Sequence, residues 1–328
     1  MLWKSFIRLT AHTQLLPVLE SGEETLVGGQ AVMEGVMMRS PHAYCVAVRK
    51  PDGSMVTDEG VLLRPGDRNR IWKLPLLRGC AILGQAMWLG IKALRFSTNV
   101  MVEAEQGHLP EKDRKEMPAW AMTLNLVLSF AFFIFLYKFV PLLITTQLGK
   151  VYPELQGRIA FNAVDGIIRI VLFLGFLYLI SRWKDIHRVF EYHGAEHKVV
   201  FNFESGKPLS VENAQKFVTW HPRCGTSFLL VVMMVSMAVY TLLPFDTFAL
   251  RFASRIVLLP VIAGLSYEMI RFAARNRGGL LALLTAPGLW LQRITTQPPD
   301  DSQTAVAIHA LEGAMALEEK HGGELVIA

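Results

Sequence analysis

The stretch GTSFLLVVMMVSMAVYTLLPF, residues 225–245, decides the fold class of this protein. It contains no Asp, Glu, Lys or Arg, and about 20 apolar residues suffice for a helix to cross a membrane. The whole chain has 328 residues, of which 52% are hydrophobic and 19% are charged, whereas ordinary soluble domains have about 45–50% and about 25%. This composition excludes a disordered chain, disfavours a soluble enzyme and predicts an α-helical integral membrane protein.

Three further segments predict spanning helices, which makes about four in all. They are Trp120–Gly149, interrupted by Lys138 and kinked at Pro141, then Ile159–Ser181, and the short segment Ile256–Ile270, which contains Glu268. Asp165 and Arg169, in the second of these, are four residues apart and can pair on one helix face. We favour a pair near the outer interface of the membrane over a polar site inside the helix bundle.

The pattern of hydropathy and charge divides the chain into five segments. Residues 1–24 form an N-terminal interfacial segment, 25–70 a small β-rich cytoplasmic unit, 71–118 an amphipathic interfacial helix and polar linker, 119–272 a four-span membrane domain with a cytoplasmic segment at 182–224, and 273–328 an interfacial apolar segment and a C-terminal cytoplasmic helix. Residues 74–96 are apolar but broken by charges, which is typical of a helix lying on a membrane. The N-terminus does not have the pattern of a secretory signal peptide.

The distribution of positive charge predicts the orientation of the spans. Lys and Arg number fifteen before the first span, seven between the second and third, and five after the fourth, but two in each of the other connections. The positive-inside rule therefore predicts a multi-pass protein of the inner cell membrane with both termini in the cytoplasm. The net charge of +5 then reflects loop orientation and contact with anionic membrane lipid, and predicts no nucleic-acid partner. The sequence is also compatible with a homo-oligomer.

The cytoplasmic N-terminal unit has the pattern of a small β-sheet. Tyr44–Arg49 predicts a strand, Pro51-Asp52-Gly53 a turn and Met55–Thr57 a returning strand. The preceding run, GGQAVMEGVMMR at 28–39, contains Glu34 and glycines of the kind that mark bulges or close backbone approach. We expect this unit to rest on the membrane face.

The sharpest chemical motif is EYHGAEHK, residues 191–198. His193 and His197 are four residues apart, so on a helix they can share a metal ion, and Glu196 points the same way. The spacing His-x-x-Glu-His is that of reversed zinc proteases, in which the ion activates a water molecule and the carboxylate takes its proton. The alternative is a helix whose histidines meet lipid headgroups or cap carbonyl groups.

A second motif, His221-Pro-Arg-Cys224, precedes the 225–245 span on the same predicted membrane face. With the first motif, His221 and Cys224 give either a closed four-ligand zinc site or a three-ligand site with an open position. The carboxylates of Glu268 and Glu34 are two further candidate members of this site. Glu268 is either a third ligand or the partner of Arg271, and Glu34 either approaches the site or faces solvent.

Four blocks together resemble the bacterial YqhQ family of membrane proteins. They are residues 28–39, 191–198, 221–228 (HPRCGTSF) and 287–296 (PGLWLQRITT). That family has no assigned function and is described as metal-dependent enzymes on the basis of such motifs. The resemblance implies a site formed by Glu34, His193, Glu196, His197, His221 and Cys224, with Arg223 inside the third block. Where the family pattern has an acidic residue near 305, this chain has Ala305.

Three functions compete on this basis. The first is a membrane-embedded hydrolase, dependent on a divalent metal of which zinc fits best, that acts at the cytoplasmic interface on a membrane protein or a lipid headgroup ester. Its general base is Glu196. The second is a scaffold with a closed structural zinc site. The third is a small transporter in which Asp165, Arg169 and Glu268 line a path.

Overall fold

The protein is mostly helical, with one four-stranded antiparallel sheet near its N-terminus. The computed structural model describes residues 27–63, 65–106, 118–221, 224–275 and 280–321. The strands are β1 (Gly28–Val32), β2 (Gly35–Arg39), β3 (Ala43–Arg49) and β4 (Met55–Val61). The helices are α1 (Leu77–Glu105), α2 (Ala119–Ile134), α3 (Val140–Val151), α4 (Arg158–Ile180), α5 (Lys184–Glu204), α6 (Val211–Gln215), α7 (Gly225–Leu242), α8 (Phe248–Val257), α9 (Leu259–Arg275), α10 (Leu280–Thr295) and α11 (Asp301–His321). Short helical turns lie at Pro65–Arg68, Arg70–Lys73 and Pro153–Gln156, and a π-helical turn, Phe135–Phe139, joins α2 to α3.

The sheet is a meander in the order β1-β2-β3-β4. The two-residue turn between β1 and β2 places Glu34 at a φ of 52°, in the left-handed region that tight hairpin turns require. In the turn between β3 and β4, Gly53 has a φ of 87°, and the Asp52 carboxylate accepts hydrogen bonds from the N–H and hydroxyl of Ser54. The strand and turn that the sequence predicted between residues 44 and 57 are therefore confirmed.

Helices cover both faces of this sheet. On one face, Leu89 and Ala93 of α1 belong to the same core as Val46 of β3. On the other face, Tyr192 of α5 and Leu311 of α11 pack with β2 and β3 in a second core. Because protein helices cover both faces, this packing does not support our expectation that the sheet rests directly on a membrane.

We call the unit formed by β1–β4, α1, α5 and α11 the head. It takes its elements from four of the five segments into which the sequence was divided, those of residues 25–70, 71–118, 119–272 and 273–328. The elements are therefore far apart in the chain, and long-range packing assembles them.

The C-terminal helix is fixed to the head at both ends. At its start, the Asp300 carboxylate accepts from the Gln303 N–H at 2.7 Å, and the Gln303 side-chain oxygen accepts from the Asp300 N–H at 2.9 Å, a reciprocal capping box. Near its end, Glu318 is 2% exposed and accepts from the Ser40 hydroxyl and the His42 N–H. The run Glu318-Glu319-Lys320 has the pattern of a solvated helix end, but Glu318 is buried against the sheet.

The remaining long helices are strongly apolar. Within the described residues, three are long and apolar enough to cross a membrane by length and composition, namely Thr123–Val151, Arg158–Ile180 and Gly225–Leu242. The helices α8 and α9 pass the same test together but are bent by 53°, as in a broken span or a re-entrant loop. Between 22% and 28% of each of the three windows is buried, so most residues in these windows are partly or fully exposed.

Candidate metal centre

Helix α5 carries three of the predicted site residues. His193 and His197 have ring centroids 4.5 Å apart. Glu196 Oε2 lies 3.8 Å from Nε2 of each histidine. Residues at i, i+3 and i+4 share one face of a helix, so the sequence spacing itself accounts for this part of the site.

Main-chain carbonyl groups hold both imidazoles in place. His193 Nδ1 lies 2.7 Å from the carbonyl oxygen of Thr295, and His197 Nδ1 bonds the carbonyl oxygen of Thr219. A carbonyl oxygen accepts a hydrogen bond and cannot donate one, so Nδ1 carries the proton in each ring and Nε2 presents a lone pair. Metal-binding histidines are characteristically oriented by such bonds.

Gly194 allows these carbonyl groups to come close to α5. A Cβ at this position would overlap the carbonyl oxygen of Gln297 and would lie 3.2 Å from Thr219 Cγ2. The Gln297 N–H in turn donates to the carbonyl of Phe190 on α5, at 2.9 Å. Glycine lowers helix propensity, but here it admits both segments whose carbonyl groups orient the histidines.

Cys224 completes the cluster from the start of α7, where it is the N-cap residue. Its Sγ is 3.3 Å from His193 Nε2. The ligand atoms of His193, His197 and Cys224 all lie within 4.8 Å of one another. Ligand atoms around a tetrahedral zinc ion, with bonds of about 2.0–2.3 Å, are about 3.3–3.8 Å apart. These three side chains therefore fit such an ion with small adjustments.

Glu196 is enclosed by the head, with 7% of its surface exposed. Burial raises the pKa of its carboxyl group, while the His193 imidazole, the Gly29 N–H and the Arg39 guanidinium oppose that rise. The approach of β1 is close, since a Cβ at Gly29 would lie 2.7 Å from Glu196 Cγ. The glycine-rich strand thus packs directly against the carboxylate.

His221 lies beside the cluster but bonds another residue. Its ring centroid is 5.6 Å from that of His197, and its Nε2 is 3.3 Å from Glu204 Oε2. The Gln292 side chain accepts from the His221 N–H and donates to its carbonyl. Among the described residues, the group that could hold a metal is His193, His197 and Cys224, without His221. Arg223 falls outside the residues that the structure describes.

The two other predicted carboxylates contact different elements. Glu34 accepts from Arg188 Nη2 at 2.8 Å and from the Tyr192 hydroxyl at 3.2 Å, so it ties the β1–β2 turn to α5. Glu268 of α9 accepts from Arg78 Nε of α1 at 2.6 Å, so it ties the bundle to the head. Neither belongs to the histidine–cysteine group.

Asp165 and Arg169 pair as their spacing predicted, but deep inside the helix bundle. They are 1% and 2% exposed. Their ion pair is joined by Arg255 of α8, whose Nη1 lies 2.6 Å from Asp165 Oδ1, and by Ser236 of α7, 2.8 Å from Arg169 Nη1. The polar site inside the bundle, which we had ranked second, is therefore the better description of this pair.

Several residues that orient His193, His197 and His221 or pack against Glu196 escaped the sequence analysis. They are Gly29, Thr219, Glu204, Gln292 and Thr295. Thr219 and Thr295 act through their carbonyl groups, which side-chain patterns do not reveal. One signal was available, because Gly29, Gln292 and Thr295 lie in blocks 28–39 and 287–296 of the family resemblance.

Comparisons with known proteins agree on one family. Residues 74–317 match the model described as "Protein of unknown function (DUF1385)". The uncharacterized protein YqhQ of Bacillus subtilis (strain 168) is 37% identical over 297 residues, which cover 89% of this chain and 92% of that protein. No solved structure matches. The chain belongs to the DUF1385 family, whose function is not known.

Proposed function

We propose that this protein is a membrane-embedded, zinc-dependent hydrolase that works at the cytoplasmic interface. One observation carries the proposal. Nε2 of His193, Nε2 of His197 and Sγ of Cys224 converge, and the carboxylate of Glu196 stands 3.8 Å from both histidine nitrogens. Three protein ligands beside a carboxylate are the usual composition of a catalytic zinc site.

The donor set favours zinc over other common ions. Thiolate and imidazole suit zinc, whereas magnesium and calcium take oxygen ligands. Both imidazoles already present Nε2 because carbonyl groups hold Nδ1, so little reorganisation accompanies binding. A bound zinc ion lowers the pKa of a coordinated water to near neutrality.

Glu196 then has a defined role as general base. Its carboxylate faces both histidines and is held by the Gly29 N–H. From that position it can accept a proton at Oε2 and deliver it to a leaving group. The substrate in this proposal is a peptide bond of a membrane protein or an ester of a lipid headgroup, since the centre lies next to the start of an apolar helix.

Three features support the membrane location. The apolar helices leave most of each candidate span uncovered by protein, and such a surface requires lipid or partner helices. Trp120 and Trp183, at helix ends, are 70% and 68% exposed, as interfacial tryptophans are. The excess of Lys and Arg in the head supports a cytoplasmic location for both termini and for the candidate metal centre.

A structural zinc site is the second candidate, and the burial of the centre favours it. His197 and Glu196 are 2% and 7% exposed. If Glu196 were a fourth ligand, the site would be closed, and the ion would link α5 to α7 without doing chemistry.

Measuring the metal content of the purified protein tests whether it binds zinc. The full-length protein, purified in neutral detergent without chelators, should contain about one zinc ion per chain. His193→Ala and Cys224→Ala should lose it, whereas His221→Ala, the matched control for a neighbouring histidine, should retain it. Wild-type protein without metal would end both the hydrolase and the structural proposal.

Cobalt substitution then separates an open site from a closed one. In the hydrolase, added azide should occupy the open position and change the cobalt(II) absorption spectrum, and Glu196→Gln should still bind metal. A spectrum indifferent to azide, together with metal loss in Glu196→Gln, would identify Glu196 as a ligand and favour the structural site.

A further inference from the structure

A second polar region lies in the helix bundle, well away from the metal centre. It is built around Tyr240, which is 16 residues beyond Cys224 along α7 and therefore about 24 Å from it along the helix. The charged side chains around Tyr240 are those of Asp165 and Arg169 of α4, Arg255 of α8, and Lys138 of the π-helical turn. The side chains of Arg169, Arg255 and Lys138 lie 5.3–5.8 Å from the centroid of the Tyr240 ring.

Positive charge exceeds negative charge in this region. Arg169, Arg255 and Lys138 are 2%, 1% and 6% exposed, and Asp165 is the carboxylate that pairs with the two arginines. The apolar helices α2–α4 and α7–α9 contain one other acidic residue, Glu268, which bonds Arg78 instead. An uncompensated charge in an apolar interior is costly, so an anion bound nearby would stabilise the arrangement.

The hydrogen bonding of the Arg169 guanidinium is also incomplete. Arg169 Nε is buried and has no partner within the described part of the chain. A guanidinium presents five N–H donors in a fixed fork.

A cleft leads from the surface to this charged region. It is open to solvent, and its lining includes the six polar residues Arg158, Asn162, Tyr240, Arg251, Ser254 and Arg255. Arg158, at the start of α4, is exposed, and Arg255 is the buried guanidinium that also bonds Asp165. Three arginines thus line this cleft, and one of them, Arg255, also belongs to the buried charged region.

We propose that this cleft binds a phosphate group. Arginine forks match the geometry of phosphate oxygens and bind them bidentately, and the Ser254 hydroxyl adds a neutral donor. The headgroups of anionic phospholipids present the same phosphate oxygens. The phosphate is therefore either inorganic phosphate or the headgroup of an anionic lipid. This site is independent of the zinc centre.

Binding measurements on the full-length protein distinguish the two sources. Delipidated protein in neutral detergent is titrated calorimetrically with inorganic phosphate at constant ionic strength set by chloride. In parallel, the melting temperature is compared in nanodiscs of phosphatidylcholine with and without phosphatidylglycerol. Saturable phosphate binding identifies a soluble anion, and stabilisation by phosphatidylglycerol alone identifies a lipid headgroup. The absence of both effects overturns the proposal.

Variants at the cleft tie the binding to these residues. Arg158→Gln and Ser254→Ala, which leave the buried ion pairs intact, should each weaken binding of the phosphate or lipid probe, the first by about fivefold or more. Arg182→Gln is the control, because Arg182 is an exposed arginine just beyond the opposite end of α4. Wild-type affinity in both cleft variants would overturn the proposal. Zinc content should be unchanged in all three, so failure here and failure at the metal centre are separable.

Discussion

Replacing Gly194 by alanine tests whether the main chain around α5 orients the two histidines. The alanine Cβ would overlap the Gln297 carbonyl oxygen and lie 3.2 Å from Thr219 Cγ2. The segments on which it presses are those whose carbonyl groups bond His193 and His197. The substitution therefore disturbs both imidazoles without altering any candidate ligand.

Two opposing terms set the effect of Gly194→Ala on stability. Alanine is better than glycine in a helix interior by about 1 kcal/mol. Adding a carbon to a packed site costs about 1–3 kcal/mol, and here the obstacle is main chain, which cannot rotate aside as a side chain can. We expect the free energy of unfolding to fall by about 1–2 kcal/mol.

The effect on zinc should be larger than the effect on folding. Loss of the groups that orient metal-binding histidines lowers metal affinity by about 10- to 100-fold, which corresponds to about 1.4–2.8 kcal/mol. The affinity is measured by competition with a chromophoric chelator, and stability is measured by thermal unfolding of the metal-free protein.

Gly84 provides the matched control. It is an exposed glycine within α1, and a Cβ there would have no atom within 4 Å. Gly84→Ala should therefore raise stability by up to about 1 kcal/mol and leave zinc affinity unchanged. If Gly194→Ala proved as stabilising as Gly84→Ala, or bound zinc as tightly as the wild type, the argument for oriented histidines would be refuted.

Three further predictions concern the bundle and the head. Asp165→Asn leaves Arg255 without its buried carboxylate and should destabilise the protein by about 3–5 kcal/mol, seen as a large fall in melting temperature. Gln303→Ala breaks the capping box and should cost about 1–2 kcal/mol in thermal or denaturant unfolding. Burial raises the pKa of Glu318, but hydrogen bonds from Ser40 and His42 outweigh it and leave the pKa lowered. The stabilisation from Glu318 should therefore be full above its unfolded pKa of about 4.3 and be lost as pH falls through its lower folded pKa, so Glu318→Gln should be more destabilising at pH 7 than at pH 3.

Each of these predictions has an outcome that contradicts it. A melting temperature of Asp165→Asn equal to that of the wild type would mean that the buried arginines are neutralised otherwise. An unchanged stability of Gln303→Ala would make the cap irrelevant to folding. A stability difference for Glu318→Gln that is the same at pH 3 and pH 7 would show that packing, not charge, accounts for it.

The local features of the site were predictable because they depend on short spacings. His193, Glu196 and His197 meet because a helix brings positions i, i+3 and i+4 to one face. The turn at Gly53 and the helix start after Asp300 likewise depend on two to four neighbouring residues. The positions of the apolar helices followed from continuous hydrophobic runs.

The partners of these residues were not predictable in the same way. Thr295 lies 102 positions beyond His193, and Arg255 lies 90 beyond Asp165. Which face of α4 turns inward depends on its packing against α7 and α8, and the hydropathy of a uniformly apolar helix does not encode that rotation. This is why the burial of Asp165 among the helices was not the favoured interpretation. Its depth in a membrane stays a prediction.

The sequence alone therefore determined which segments are apolar helices, where the small sheet begins, and which three residues of α5 share a face, since each depends on contacts within a few residues. The tertiary structure decided that Cys224 joins the histidines, that His221, Glu34 and Glu268 have other partners, and that helices cover both faces of the sheet. Those outcomes depend on main-chain carbonyl groups and on helix rotation, which are fixed only when distant parts of the chain pack together.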